Sequence, residues 1–397
     1  MKKILQVVCS YFPRIGGIEQ VARDISDALK DEPYEMKVIC LNENAEAEGM
    51  VCKRNETVYD TVDGVEVIRC GSIAKVASQL ISPKYISELR KIMNSYEPDI
   101  VIFHYPNPFL AQFLLSYKRR PFKLVVYWHL DITKQKILGK LFHPQTLALI
   151  KRADKIVGAT TKHINESAYT KYFGEKKYIL PYMISQNRIT VSQEELAAAE
   201  KLREKYGDKI VGFFIGRHVP YKGLTYLIQA SKLLDDRFRF IIAGCGPLTD
   251  ELKQQAEGDS KIEFVGKISD SKMREYLTAC DIFCFPSITR NEAFGLALAE
   301  GMYFEKPAVT FTIKGSGVNC VNIDGVTGIE CPNGDVKAYA DALKKLADNK
   351  ELREEYGRNA KLRVEENFTF DIFRKNISGL FNELFRSDIN ENSLRIK

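Results

Sequence analysis

Short apolar runs rich in Val and Ile alternate with stretches of helical period, and the alternation occurs twice along the chain. An apolar run of that kind reads as a strand buried on both faces, and a helix between two such strands lets them lie parallel. The expected class is therefore α/β, with parallel sheets covered by helices on both sides. The first set places strands at 4–9, 36–41, 65–69, 99–103, 123–128 and 154–158, with helices at 18–30, 83–95, 107–117, 134–142 and 161–171. It closes near Ile179–Pro181. The second set places strands at 210–215, 238–242, 261–265, 281–285 and 307–311, with helices at 223–234, 248–257, 271–279, 294–303 and 335–347.

A chain of 397 residues exceeds what one core usually serves, so two doubly wound domains facing across a cleft are expected. Their limits are placed at 1–185 and 186–365, with a closing helix over 366–397 that needs a surface to cover. The polar segment SQEELAAAEKLREKYGDK (192–209) reads as a connector between the halves.

The first apolar run, Ile4 to Cys9, is too short for the core of a signal peptide and suits a buried strand. No run reaches the roughly 18 to 20 apolar residues of a membrane span. Nine scattered cysteines then fit reduced thiols and a cytoplasmic setting. Cys280 and Cys284 have a spacing some metal sites use, but no second Cys or His pair lies near them in sequence. The net charge of +6 is uneven: between Tyr117 and Lys162 stand eleven Lys or Arg (118, 119, 120, 123, 134, 136, 140, 151, 152, 155, 162) against two Asp (131, 154). Within it KQKILGKLFHP sets apolar residues beside lysines, so two readings stay open for residues 118–140: a solvated basic face, or peripheral contact with an anionic membrane. No nucleic-acid-binding module accompanies the charge.

Ligands of doubly wound sheets bind beyond the carboxyl ends of the strands, so the loops there carry the candidates. Gly16–Gly17 precede the first helix, where backbone can approach an anion closely. In FFIGRHVPYKGLTYLI, Arg217 and Lys222 leave one loop together, as a diphosphate leaving group requires. IIAGCGPL bares backbone at Gly244 and Gly246. In CDIFCFPSITRNEAFGLALAEGM, Glu292 lies in a loop and Glu300 inside the following helix. Eight helical positions span about 12 Å, comparable with a sugar, a diphosphate and a ribose end to end. The amides of Phe294, Gly295 and Leu296 between them would meet phosphate oxygens at the helix's positive end. One carboxylate then accepts from sugar hydroxyls and the other from ribose hydroxyls.

The EX7E pair Glu292 and Glu300, the GR-x4-KG of Arg217 to Gly223, the AGxGP of Ala243 to Pro247 and the early Gly16–Gly17 resemble family-4 retaining glycosyltransferases. The resemblance implies the GT-B architecture, two Rossmann-like domains with a nucleotide-sugar donor held mainly by the second and a last helix crossing back onto the first. It implies that Glu292 contacts the donor sugar, Glu300 the ribose, and Arg217 and Lys222 the diphosphate, with Gly266 and Lys267 near the base. His129, in YWHLDITKQK, stands at the family's position for a histidine beside the donor sugar. HYPNPF (104–109), WHLDITKQK (128–136) and GSGVNCVNIDGVTG (315–328) further resemble bacterial α-1,3-mannosyltransferases of O-antigen and capsule assembly. Gly301 stands where the family usually has Ala, and FEKP (304–307) replaces a common Gly-Lys-Pro.

The expected activity is retaining transfer of a hexose, mannose from GDP-mannose before a UDP-sugar, onto a lipid-linked saccharide at the inner face of the cytoplasmic membrane. No Asp-x-Asp triplet is present to offer a divalent ion to a diphosphate, so neither metal nor cofactor is expected. A nucleotide-sugar epimerase and a non-catalytic sugar-nucleotide-binding protein are the alternatives.

Overall fold

The computed structural model describes residues 1–14, 16–42, 52–53, 55–76, 79–119, 121–131 and 136–395, with backbone only at 42, 75–76, 79, 136–140 and 386–395. The stretch 118–140, read as a solvated basic face or a membrane contact, falls partly on residues 120 and 132–135, outside the described set. Among the described residues no helix is long and apolar enough to cross a membrane. The chain forms two compact units: Met1–Ala159 with Ile164–Pro181 and Phe373–Lys397, and Thr160–His163 with Tyr182–Ile372.

The first unit is built from β1 (Lys2–Val7), β2 (Tyr34–Asn42), β3 (Thr57–Val62), β4 (Val65–Gly71), a separate hairpin of β5 (Ala74–Val76) and β6 (Gln79–Ile81), then β7 (Ile100–Tyr105), β8 (Lys123–Trp128), β9 (Lys155–Gly158) and β10 (Lys177–Ile179). Its eight-stranded sheet has the order β10-β9-β8-β7-β1-β2-β4-β3 and is parallel except for β3 against β4. All six residues of β7 are buried, as a strand covered on both faces requires. The edge strand β3 is half exposed and was not among the expected strands. Asp63 and Gly64, both at positive φ, turn the chain between β3 and β4 in the way of a two-residue hairpin. The segment expected as one helix over 161–171 breaks into Thr161–Asn165 and Thr170–Phe173, and that expected over 134–142 is the longer Lys136–Arg152. From Phe373 onward the last helix belongs to this unit, where Phe381 meets the Tyr34 ring at 5.3 Å and Tyr178 donates to the Asn376 carbonyl at 2.7 Å.

The second unit holds β11 (Ile210–Ile215), β12 (Phe238–Ala243), β13 (Ile262–Gly266), β14 (Ile282–Phe285), β15 (Ala308–Phe311) and β16 (Gly328–Cys331). All pair in parallel, in the order β13-β12-β11-β14-β15-β16. Strand order therefore reverses between β11 and β14, and the helices after these two strands leave to opposite faces. The polar helix Gln193–Tyr206 is part of this unit: Glu195, Ala199 and Tyr206 are buried, and Arg274 grips Glu195.

In the first unit, the helix Gly17–Leu29 buries Val21, Ala22, Ile25, Ala28 and Leu29, and with them Asp24. Gln20 Nε2 donates to Asp24 Oδ1 at 2.7 Å, while Oδ2 has no partner among the described residues. Burial pushes the Asp24 carboxyl up to about 7, with Asp27 adding to the effect against Gln20 and Arg23. A raised folded pKa contributes stability that is full below the unfolded value near 4 and is lost as pH rises through about 7. Asp24→Asn keeps the Gln20 bond without the charge. Its melting temperature should match that of the wild type near pH 4 and exceed it above pH 7; a difference constant with pH would show that Asp24 titrates as an ordinary exposed acid.

Candidate active site

The loops after β11 to β14 gather at one edge of the second sheet, because parallel strands send all their carboxyl ends the same way. After β11 the chain passes Gly216 and Arg217 and enters the short turn Pro220–Lys222. Gly223 follows at φ +66, and a Cβ there would meet the Pro286 carbonyl oxygen at 2.0 Å, so this glycine lets the β11 and β14 loops touch. Lys222 lies almost wholly buried above the Phe285 ring, its Nζ 5.1 Å from the centroid, and pairs with Glu292. Ser287 Oγ donates to the same Glu292 oxygen at 3.2 Å. Arg217 is exposed and makes no ion pair among the described residues.

Glu292 precedes the helix Leu296–Tyr303, whose N-cap is Gly295 and whose first turn has no side-chain cap. Phe294 is core, its ring between Tyr182 at 5.2 Å and Phe368 at 5.1 Å. A loop from the far side of β15 braces this turn: Ser316 Oγ donates to the Glu292 carbonyl, and the Gly317 amide donates to Ala293 O at 2.9 Å. Glu300 is buried inside the helix and receives Arg188 at both oxygens, Nε to Oε1 at 2.7 Å and Nη2 to Oε2 at 3.0 Å. Arg188 also grips Asp270. Burial works against the Arg188 charge, but the bonds to Glu300 and Asp270 prevail and raise its pKa.

The β12 and β13 loops complete this edge. Gly244 sits at φ +112, and a Cβ there would come within 1.9 Å of the Gly216 oxygen, so the two loops run backbone to backbone. Its amide donates to Gly266 O at 2.7 Å, and Gly266 and Lys267 are exposed beside it. His218, within the β11 loop, is buried against Phe264, and its Nδ1 lies 2.9 Å from Thr249 Oγ1; burial lowers its pKa. Among the described residues no three His, Cys, Asp or Glu side chains are arranged to hold a metal ion.

In the first unit, Gly16 is the N-cap of the helix Gly17–Leu29, and His129 follows β8 directly. Asp131 pins the chain after His129: its Oδ1 accepts from Trp128 Nε1 and Ser167 Oγ, both at 2.8 Å, and Oδ2 from the Ala168 amide at 2.9 Å. His129 Nε2 lies 2.9 Å from Nδ1 of a second buried histidine, His104, in β7.

Residues 15–168 match the family model described as Glycosyltransferase Family 4, and residues 197–363 match that of Glycosyl transferases group 1. The O-antigen chain mannosyltransferase C of Escherichia coli is 30% identical over 372 residues, 93% of this chain and 95% of that one. This chain belongs to glycosyltransferase family 4. The D-rhamnosyltransferase WbpZ of Pseudomonas aeruginosa is 29% identical over 359 residues, 89% of each chain. Sucrose-phosphate synthase of Thermosynechococcus elongatus superposes with a TM-score of 0.77 at 16% identity, covering 98% of this chain and 100% of that one. Anabaena HepE in complex with UDP gives 0.76 at 18%, covering 96% and 100%. These likenesses establish the GT-B fold for the glycosyltransferase.

The glycosyltransferase thus carries its candidate residues in two groups. The second unit brings together Arg217, Lys222, Gly244, Gly266, Lys267, Glu292, Phe294, Gly295, Leu296 and Glu300; the first holds Gly16, Gly17 and His129. Sequence reasoning missed Arg188 and His104. A lone arginine before a polar helix carries no motif, although His104 lies in the HYPNPF stretch. Replacing Arg188 with Met would leave the buried Glu300 charge without its fork and should lower stability by about 1–3 kcal/mol, between exposed and buried pairs. An unchanged urea midpoint would mean that Glu300 is solvated without it.

Proposed function

We propose that this hexosyltransferase of glycan biosynthesis moves mannose from GDP-mannose, with retention of α configuration and without a metal ion, onto a lipid-linked saccharide of cell-surface polysaccharide assembly. The observation that carries the reading is the Lys222–Glu292 pair between β11 and β14, with the exposed Arg217 guanidinium on the same loop. The relative named for O-antigen mannosyl transfer supports the choice of donor and acceptor.

In this reading Glu292 accepts from donor-sugar hydroxyls, and Lys222, already desolvated, donates to the diphosphate. Arg217 and the amides of Phe294, Gly295 and Leu296 share the charge that grows there as the bond to the anomeric carbon breaks. Glu300 accepts from the ribose, since each carboxylate oxygen keeps acceptor capacity beyond its bond to Arg188. Gly244, Gly266 and Lys267 border the nucleotide, and Gly16 and Gly17 offer backbone to the donor from the first unit. His129 contacts the donor sugar. The acceptor hydroxyl oxygen bonds to the anomeric carbon on the face that the diphosphate leaves, and a phosphate oxygen takes the hydroxyl proton. The enzyme's share is then positioning and charge stabilisation.

Lys222→Ala and Arg217→Ala should each lower kcat by about 100-fold or more, as loss of a transition-state charge contact does, with the fold retained by circular dichroism. Near-wild-type transfer by the double variant would remove these roles. With EDTA present, GDP-mannose at about 100 times its Kd should stabilise the protein by roughly 2.7 kcal/mol in a thermal-shift assay. Stabilisation by UDP-sugars alone would reassign the donor, and a strict need for added Mg²⁺ or Mn²⁺ would end the metal-free mechanism.

A further inference from the structure

Behind His129 the first unit contains a chain of uncharged hydrogen bonds whose direction can be assigned. It starts at Ala22 in the helix Gly17–Leu29, whose carbonyl oxygen can only accept. Gln6 Nε2, in β1, lies 2.8 Å from Ala22 O and 2.9 Å from Ser26 Oγ, so the amide nitrogen of Gln6 must face the helix. Ser26 Oγ spends its one proton on Ala22 O at 3.1 Å and accepts from Tyr11 Oη at 3.0 Å, which leaves it an acceptor toward Gln6. The Gln6 Oε1 atom is thereby turned to His104, 3.0 Å from Nε2. Gln6 is wholly buried, and His104 and His129 are nearly so.

An oxygen that only accepts requires a proton on His104 Nε2. Burial lowers the His104 pKa to about 3, so near neutral pH the ring carries that proton alone, and its Nδ1 is a lone pair. The partner 2.9 Å from this lone pair, His129 Nε2, must then be an N–H. Near-parallel contacts hold the rings in register: Tyr127 lies at 3° to His104 and at 10° to His129.

We infer that Gln6 and His104 are positioning residues that hold His129 with its proton on Nε2, so that any hydrogen bond the ring accepts from a donor-sugar hydroxyl is taken at Nδ1. The inference rests on the reading of His129 as a donor-sugar contact. Through Ala22 and Ser26 the same chain ties His129 to the helix that begins at Gly16–Gly17, so two candidate donor contacts of this unit share one rigid frame.

Two experiments test it. Proton–nitrogen long-range correlation spectra of the full chain, labelled with nitrogen-15 at its five histidines, read the tautomers directly. His104 and His129 should both show protonated Nε2; His129 protonated at Nδ1 alone would overturn the inference. In kinetics, His104→Phe keeps the ring against Tyr127 but removes the acceptor, and should lower kcat about tenfold, the equivalent of one hydrogen bond, with donor KM little changed. His104→Asn, whose Oδ1 can accept from His129, should recover most of that loss. In a His129→Ala background His104→Phe should cost nothing further, because its effect passes through His129. An undiminished loss in that background, or equal loss in the Phe and Asn variants, would show plain packing and sink the relay alone. Full activity of His129→Ala would instead sink the donor-contact reading beneath it.

Discussion

Strand order reverses between β11 and β14, and the Lys222–Glu292 ion pair joins the loops that follow these two strands. The rest of the second unit's candidate site depends on this arrangement. Gly223 brings the two loops together, Ser287 adds a donor to Glu292, and the loop of Ser316 and Gly317 holds the Glu292 backbone from the other side. A lysine this buried, over an aromatic face, is tolerable because its countercharge is at hand.

The two units use different electrostatics. In the second, buried carboxylates are matched by cations, Glu292 by Lys222 and Glu300 by Arg188, while Arg217 stays exposed on the same edge. In the first, the chain behind His129 is neutral: His104 loses its charge to burial, and the links through Gln6 run on amides and hydroxyls, while the buried Asp131 carboxylate holds the segment after His129. The second unit thus answers its buried carboxylates with cations, and the first sets an oriented uncharged network behind His129.

Strands buried on both faces were legible in the chain, because runs such as IVIFHY and LVVYW have no polar face to show and no other plausible home. β3 escaped notice because an edge strand with one wet face mixes polar and apolar residues, although the Asp63–Gly64 turn after it was a readable signal. β16 is four residues long and carries Glu330, and the helix Lys350–Asn367 buries only Tyr356, Gly357, Ala360 and Val364, so neither has strong periodicity. The segment read as a connector is a packed helix because Glu195 is neutralised by Arg274, a partner 79 residues away.

The sequence by itself determined the parallel α/β class, the family and the residue types at the strand ends, since apolar periodicity and motif spacing are local properties of the chain. Tertiary structure alone decided the pairings: Arg188 with Glu300, Ser316 with Glu292, and Gln6 with His104, joining segments 112, 24 and 98 residues apart. A side chain's charge state, tautomer and orientation follow from what lies within about 3 Å of it, the reach of a hydrogen bond, and separation along the chain carries no information about that distance.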